Sequence, residues 1–189
     1  MDRSTPTETE LKIPVADLES IRARLDAGDG HLVHASQREV NTLFDSDALG
    51  LAGAGHVLRL RRIGDRHILT MKGPARYDGK IKHREELETE VGDVDILATI
   101  LGHLGAHPVL RYEKDRETWR IDPVTITLDH TPMGDFVELE GPRDHLEAVA
   151  GDIGIDASDA VVGSYVSLWQ EYRTRHPELR LSEDMVFAP

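Results

Sequence analysis

Near the start of the chain, Glu8, Glu10 and Lys12 stand at every second position, interleaved with Thr9 and Leu11 and followed by Ile13. Successive side chains of an extended strand point to opposite faces, so this spacing puts two carboxylates and an ammonium on one side. The arrangement recurs. Arg59 and Arg61 alternate with Leu58 and Leu60, Thr70 and Lys72 share a side, and Lys82, Arg84, Glu86 and Glu88 share another. Tyr112, Lys114 and Arg116 fall together, as do Thr127 and Asp129, while Glu138 and Glu140 oppose Val137 and Leu139. One wet sheet face explains one such strand. Charge doublets in seven of eight strand candidates point instead to a common charged surface.

A surface with both signs in close quarters has a definite chemistry. Clustered Arg and Lys bind phosphate oxygens. Clustered carboxylates hold hard divalent cations such as magnesium or manganese, which in turn bridge phosphates. Confining so many ions is costly unless a ligand or water satisfies them, because desolvation costs several kcal/mol per ion. A metal-bound polyphosphate chain meets both demands.

The elements that must present these residues can be read from hydrophobic periodicity. Period-two alternation predicts strands near 6–13, 38–44, 56–63, 66–72, 81–91, 109–120, 123–130 and 135–141. Short turn segments such as Gly64-Asp65 and Thr131–Gly134 make consecutive strands antiparallel neighbours. Helical spacing appears at Val15–Leu25, at Ile96–Leu104 behind an Asp93 cap, and after Ser158 through Tyr172. An open sheet with one charged face would use this pattern. A closed eight-stranded antiparallel barrel of the α+β class uses it better, with its charges inward and its apolar exterior wrapped by amphipathic helices. One domain is expected over residues 1–175, with a polar tail over 176–189.

Bulk properties agree with a soluble globular protein. The 189 residues are 39% hydrophobic and 30% charged, and 35 acids against 22 bases give a net charge of -13. That balance disfavours nucleic acid as a partner. With no cysteine, disulfides and thiolate metal sites are excluded. The sequence offers no membrane span and no apolar leader, so a cytoplasmic location is expected. GLAGAGH, Gly50–His56, precedes a strand and is read as a turn, not a dinucleotide loop. KGPARYDGK, Lys72–Lys80, fits either a flap over a tunnel mouth or a plain hairpin loop.

The ordered set of charge motifs resembles the CYTH superfamily, the triphosphate tunnel metalloenzymes. The matching stretches are ExExK at Glu8, Glu10 and Lys12, RLR at Arg59 and Arg61, TMKGP at Lys72 and REELE at Arg84, Glu86 and Glu88. They continue with KDR at Lys114 and Arg116, LD at Asp129 and ELE at Glu138 and Glu140. The resemblance implies an eight-stranded tunnel that binds a small-molecule triphosphate with Mg2+ or Mn2+ as cofactor. It implies metal ligation by Glu8, Glu10, Asp129, Glu138 and Glu140. Phosphate binding would fall to Lys12, Arg59, Arg61, Lys72, Arg84, Lys114 and Arg116, with Glu86 and Glu88 supporting them. Glu10, Lys72 and Arg59 would be catalytic, Glu10 by positioning and deprotonating water. The implied activities are a triphosphatase acting on tripolyphosphate, thiamine triphosphate or a nucleoside triphosphate, or a class IV adenylyl cyclase. A noncatalytic polyphosphate-binding module is a third reading, disfavoured by the carboxylates.

Overall fold

The computed structural model describes residues 7–48 and 50–188. β1 (Thr7–Val15) leads through α1 (Leu18–Ala27) to β2 (His31–Asp45). A short helical turn, α2 (Gly50–Gly53), precedes the hairpin of β3 (Val57–Ile63) and β4 (Arg66–Lys72). A second hairpin joins β5 (Arg76–Asp78) to β6 (Ile81–Glu90), and α3 (Val94–His103) crosses to β7 (His107–Ile121). β8 (Val124–Thr131) and β9 (Gly134–Glu140) follow, then α4 (Arg143–Asp152) and α5 (Tyr165–Arg175).

The strands pair antiparallel in the order β1-β9-β8-β7-β2-β3-β4-β6, and β6 returns to pair with β1. Eight strands therefore close into a barrel, and β5 is an extra strand on the free half of β6. Closure pairs each of the eight strands on both sides, with the first halves of β2 and β7 left unpaired by β3 and β8 respectively. The register also assembles the charges. Glu8 lies opposite Arg84 and Glu10 opposite Lys82 at the seam, while Glu10 faces Glu140 and Lys12 faces Glu138 across β9. Residues directly opposite share a face, so pairing alone brings the ExExK strand against carboxylates on one side and cations on the other.

The apolar set points outward. Leu11 and Ile13 of β1, with Ile126, Leu128, Val137 and Leu139, pack against α1 and α4 through Ile21, Leu25 and Leu146. A second cluster lies on the lumen side of the strands and joins Tyr112 and Phe136 to Tyr165, Leu168 and Trp169 of α5. Fully burying side chains of this kind contributes roughly 1.5–3 kcal/mol each, so α1 and α4 stabilise the barrel from outside and α5 from the lumen side. α3 contributes less. It buries Leu101 but leaves Ile96, Ile100 and Leu104 exposed.

Local chemistry sets the helix ends. Asp93 caps α3 as its position predicts, accepting from the Asp95 and Ile96 amides. The third expected helix starts at Tyr165, later than Ser158, because Gly163 takes a φ of 142° and Ser164 forms a capping box with Ser167. β2 begins at His31, seven residues before the expected strand, and its first half is exposed on both faces. α4 was not anticipated from periodicity. The segment after Arg175 follows the barrel wall. Met185 exchanges main-chain hydrogen bonds with Arg111 and Glu113, at 3.0 and 2.8 Å, and is fully buried. Among the described residues no helix is long and apolar enough to cross a membrane.

Candidate functional site

The charged faces of the strands enclose a cavity of about 760 Å3 that runs into the barrel. Of the site residues expected from sequence, all but Asp129 line it. Lys82, which shares a face with Arg84, lines it as well.

Every lumen cation but Arg84 is held by carboxylates of other strands. Arg59 is buried and spreads four hydrogen bonds: to the Tyr112 hydroxyl at 3.2 Å, to Thr70 Oγ1 and Glu86 at 3.3 Å each, and to Glu88 at 3.4 Å. Arg61 donates to Glu88 at 2.6 Å. Lys72 donates to Glu86 at 2.6 Å and Glu8 at 3.1 Å. Glu86 and Glu88 thus accept hydrogen bonds from Arg59, Arg61 and Lys72. Lys82 pairs with Glu10 at 2.6 Å, and Lys12 pairs with Glu138 while lying 3.8 Å from the centre of the Tyr165 ring. Arg84 is tied to loop carbonyls, donating to Gly73 at 2.5 Å and to Gly55 at 3.2 Å.

Asp129 stands behind this wall. It has no exposed surface, and its oxygens accept from Lys114 at 3.0 Å, Arg116 at 2.7 and 2.6 Å, and the Tyr165 hydroxyl at 2.5 Å. Arg116 reaches Glu138 as well. With its oxygens taken up by four hydrogen bonds, Asp129 is placed to hold Lys114 and Arg116 at the lumen surface.

The electrostatics follow from burial and these pairings. Burial opposes ionisation of Asp129, yet Arg116 and Lys114 outweigh it and hold the carboxyl well below its usual range. Glu10 behaves alike: burial is overcome by Lys12 and Lys82, and its pKa falls. Burial, only partly offset by Glu10 and reinforced by Lys82 and Lys114, pushes the Lys12 ammonium down to about 7. Glu140 moves the other way. Burial first, and then the neighbouring Glu8, Glu10 and Glu86 carboxylates, push it up to about 7.

Around Glu140 three carboxylates, Glu8, Glu10 and Glu86, oppose its ionisation and Lys72 favours it. Glu140 makes no ion pair among the described residues, while its neighbours Glu8 and Glu10 engage Lys72 and Lys82. An all-carboxylate donor set suits a hard divalent cation, and an unbalanced carboxylate is what such an ion would neutralise. Among the described residues no three carboxylates or imidazoles already converge as a finished metal cage. The lysines hold Glu8 and Glu10 apart, so a metal would compete with them for these oxygens.

Sequence reasoning missed several polar groups of the interior. Glu39 and Asn41 of β2 are buried, the Asn41 amide and one Glu39 oxygen having no hydrogen-bond partner. Their period-two spacing was visible in REVNTLF, but without a second charge it did not register with the other motifs. Tyr165 was read only as helix cover, although its hydroxyl serves Asp129. One sector of the cavity is uncharged, where Leu43, Ala52, Val57 and Val166 reach the lining.

The CYTH domain family model matches residues 6–154. The chain is similar to adenylate cyclase CyaB of Aeromonas hydrophila, at 25% identity over 185 residues, covering 90% of this chain and 93% of that relative. Among solved structures it resembles a putative adenylate cyclase from Vibrio parahaemolyticus, with a TM-score of 0.78 and 20% identity over 88% of this chain and 99% of that one. The PH1819 protein of Pyrococcus horikoshii aligns with a TM-score of 0.72 and 27% identity, over 88% and 99% of the two chains. HpAC1 from Hippeastrum, described as a putative adenylyl cyclase with a dominant triphosphatase activity, gives a TM-score of 0.65 at 16% identity, over 87% and 95%.

Proposed function

The chain belongs to the CYTH domain family, and on that premise we propose that it is a metal-dependent triphosphate phosphohydrolase that grips its substrate inside the barrel. The observation that carries this reading is the layout of charge in the cavity. Eight Lys and Arg side chains share one lumen with six carboxylates, and Glu140 among them lacks a cation. No neutral or cationic ligand uses both halves of that wall.

Lys12, Arg59, Arg61, Lys72, Lys114 and Arg116 bind the phosphate oxygens, and Arg84 does so from the loop-held position at the mouth. Their carboxylate partners keep them in place before substrate arrives, so little reorganisation is needed as charge develops. Mg2+ or Mn2+ held by Glu8, Glu10, Glu138 and Glu140 would supply Lewis-acid neutralisation of phosphate charge when bound. Arg59 and Lys72 stabilise the charge gathering on the leaving phosphate as the bridging P–O bond breaks. Glu10 orients the attacking water on the opposite side of the lumen. Asp129 acts at one remove, positioning Lys114 and Arg116.

A second reading, adenylyl cyclisation, is favoured by the similarity to adenylate cyclase CyaB. There a ribose 3′ hydroxyl attacks the α phosphate and pyrophosphate leaves. Hydrolysis is preferred because the cations and carboxylates suited to phosphate and metal line the cavity together, a set that attack of water on a triphosphate uses in full.

The test is product identification with tripolyphosphate, thiamine triphosphate and ATP, each with Mg2+ or Mn2+. Orthophosphate without cyclic AMP is expected; cyclic AMP with pyrophosphate from ATP would replace the hydrolase with the cyclase, and no product from any of them would sink both. The metal assignment has its own check. Glu140→Gln should raise the Mg2+ concentration for half-maximal rate by about tenfold or more. It should also shrink the Tm increase that Mg2+ gives the wild-type protein. An unchanged Mg2+ titration by both readouts would remove Glu140 from the metal site.

A further inference from the structure

Tyr165 is the first residue of α5, and local chemistry fixes where it stands. Gly163 turns the chain at a φ of 142°, Ser164 and Ser167 cap the helix reciprocally, and the Val161 amide donates to the Lys12 carbonyl at 2.8 Å. The helix therefore opens against β1, and the Tyr165 side chain enters the cavity as one of its lining residues. It is buried, and its ring packs edge to face with Phe136, the two centres 5.4 Å apart.

Three charged groups of the interior converge on that side chain. The Lys12 ammonium lies 3.8 Å from the ring centre and the Lys114 ammonium 4.9 Å. The hydroxyl donates to Asp129 at 2.5 Å, and Asp129 in turn holds Lys114 and Arg116. Burial and the Asp129 charge push the Tyr165 hydroxyl well above its ordinary range, so it stays a donor. Lys12 and Lys114 repel each other, and an aromatic face attracts both through its quadrupole. A carboxylate in that place would attract them too, but it would add negative charge where phosphate binds. The ring adds none. Nor does it compete for a divalent cation, whereas Glu138, the other partner of Lys12, is a candidate ligand for one.

We propose that Tyr165 is a positioning residue of the phosphate site, its ring face holding the Lys12 and Lys114 ammonium groups in the lumen and its hydroxyl steadying Asp129 behind them. This rests on the triphosphate reading above and extends the site to α5. The ring carries the greater part of the role, because Asp129 keeps three hydrogen bonds from Lys114 and Arg116 when the hydroxyl is removed.

The experiment measures kcat and KM for tripolyphosphate and ATP, each with Mg2+, in the wild type, Tyr165→Phe and Tyr165→Leu. The phenylalanine variant keeps the aromatic face and should stay within about threefold of the wild type. The leucine variant should raise KM for both substrates about tenfold, with kcat within about threefold, because the lysines meet phosphate before and during reaction alike. Phenylalanine carrying successive ring fluorines at position 165 separates the ring's charge from its packing, since fluorination weakens the negative face at nearly constant size. KM should climb stepwise along that series while Tm, followed by circular dichroism, stays level. The series decides the matter even where the leucine variant fails to fold. A flat series, a folded leucine variant with the wild-type KM, or a phenylalanine variant impaired as much as the leucine one overturns the proposal and leaves the triphosphatase reading intact. Failure of the wild type to convert either substrate overturns both.

Discussion

Asp129 illustrates what period-two spacing does and does not reveal about a residue. Alternation with Leu128 assigns it to the charged side of β8, which is where it lies. Depth is another matter. A spacing rule cannot distinguish a carboxylate facing the cavity from one behind it, because that depends on which long side chains reach over from the next strand. Lys114 and Arg116 do so here, and Tyr165 arrives from a helix distant in sequence. By contrast Glu8, Glu10, Arg59, Lys72 and Glu138 were legible as lumen residues because nothing overlies them. The assignment of Asp129 to positioning makes a stability prediction. Asp129→Asn leaves two buried cations short of a counter-charge and should destabilise the protein by about 3–5 kcal/mol, read from denaturant unfolding. The pH dependence has a fixed sign. Arg116 and Lys114 depress the Asp129 pKa in the folded protein, whereas the unfolded residue titrates near about 3.9. The contribution is therefore complete above that value and lost as pH falls below it, so the Tm gap between wild type and variant should close in acid. A gap that persists unchanged down to about pH 2 would mean that the Asp129 charge contributes nothing to stability.

At the scale of elements, the strands were legible where their two faces meet different surroundings. In β3, β4, β8 and β9 polar lumen-facing residues alternate with apolar ones on the outer face, so their boundaries fall within a residue or so of expectation. The first half of β2 escapes because His31–Arg38 is exposed throughout, leaving no contrast for a pattern to record. The tail after Arg175 escaped for the opposite reason. Its polar composition hides one buried side chain, Met185, which sits in the cluster that contains Tyr112, Tyr165 and Trp169. The Trp169 indole donates to the carbonyls of Ser182 and Glu183, at 3.2 and 3.1 Å, fixing the tail against α5. The segment thus extends the sheet along the edge of β7 that β8 leaves unpaired, beside Tyr112, whose hydroxyl accepts from Arg59. Met185→Ala should cost about 2–5 kcal/mol by the cavity it leaves. Because Tyr112 packs in the same cluster, the variant should also raise KM for the triphosphate, by severalfold. A destabilised variant with unaltered KM would confine the tail to a stabilising role.

For the whole molecule, the decisive quantity is how charge is partitioned between inside and outside. Eight cations and six carboxylates line the cavity, and Glu39 and Asp129 are buried beside them. The interior is therefore neutral, and the entire net charge of -13 belongs to the rest of the chain. A polyanionic substrate must approach an acidic exterior before it meets the basic wall, the reverse of a protein that steers its ligand in. Salt acts unequally on the two regions. The Debye length falls from about 30 Å at 0.01 M to about 10 Å at 0.1 M, which screens exposed charges but much less the buried contacts of Arg59, Lys114 and Arg116. Raising KCl over that range at fixed Mg2+ should therefore increase kcat/KM, through faster encounter, with kcat nearly constant. The same series should raise Tm modestly as surface self-repulsion is relieved. A steep fall in kcat/KM would mean that exposed cations guide the substrate, and that the acidic exterior does not govern its entry.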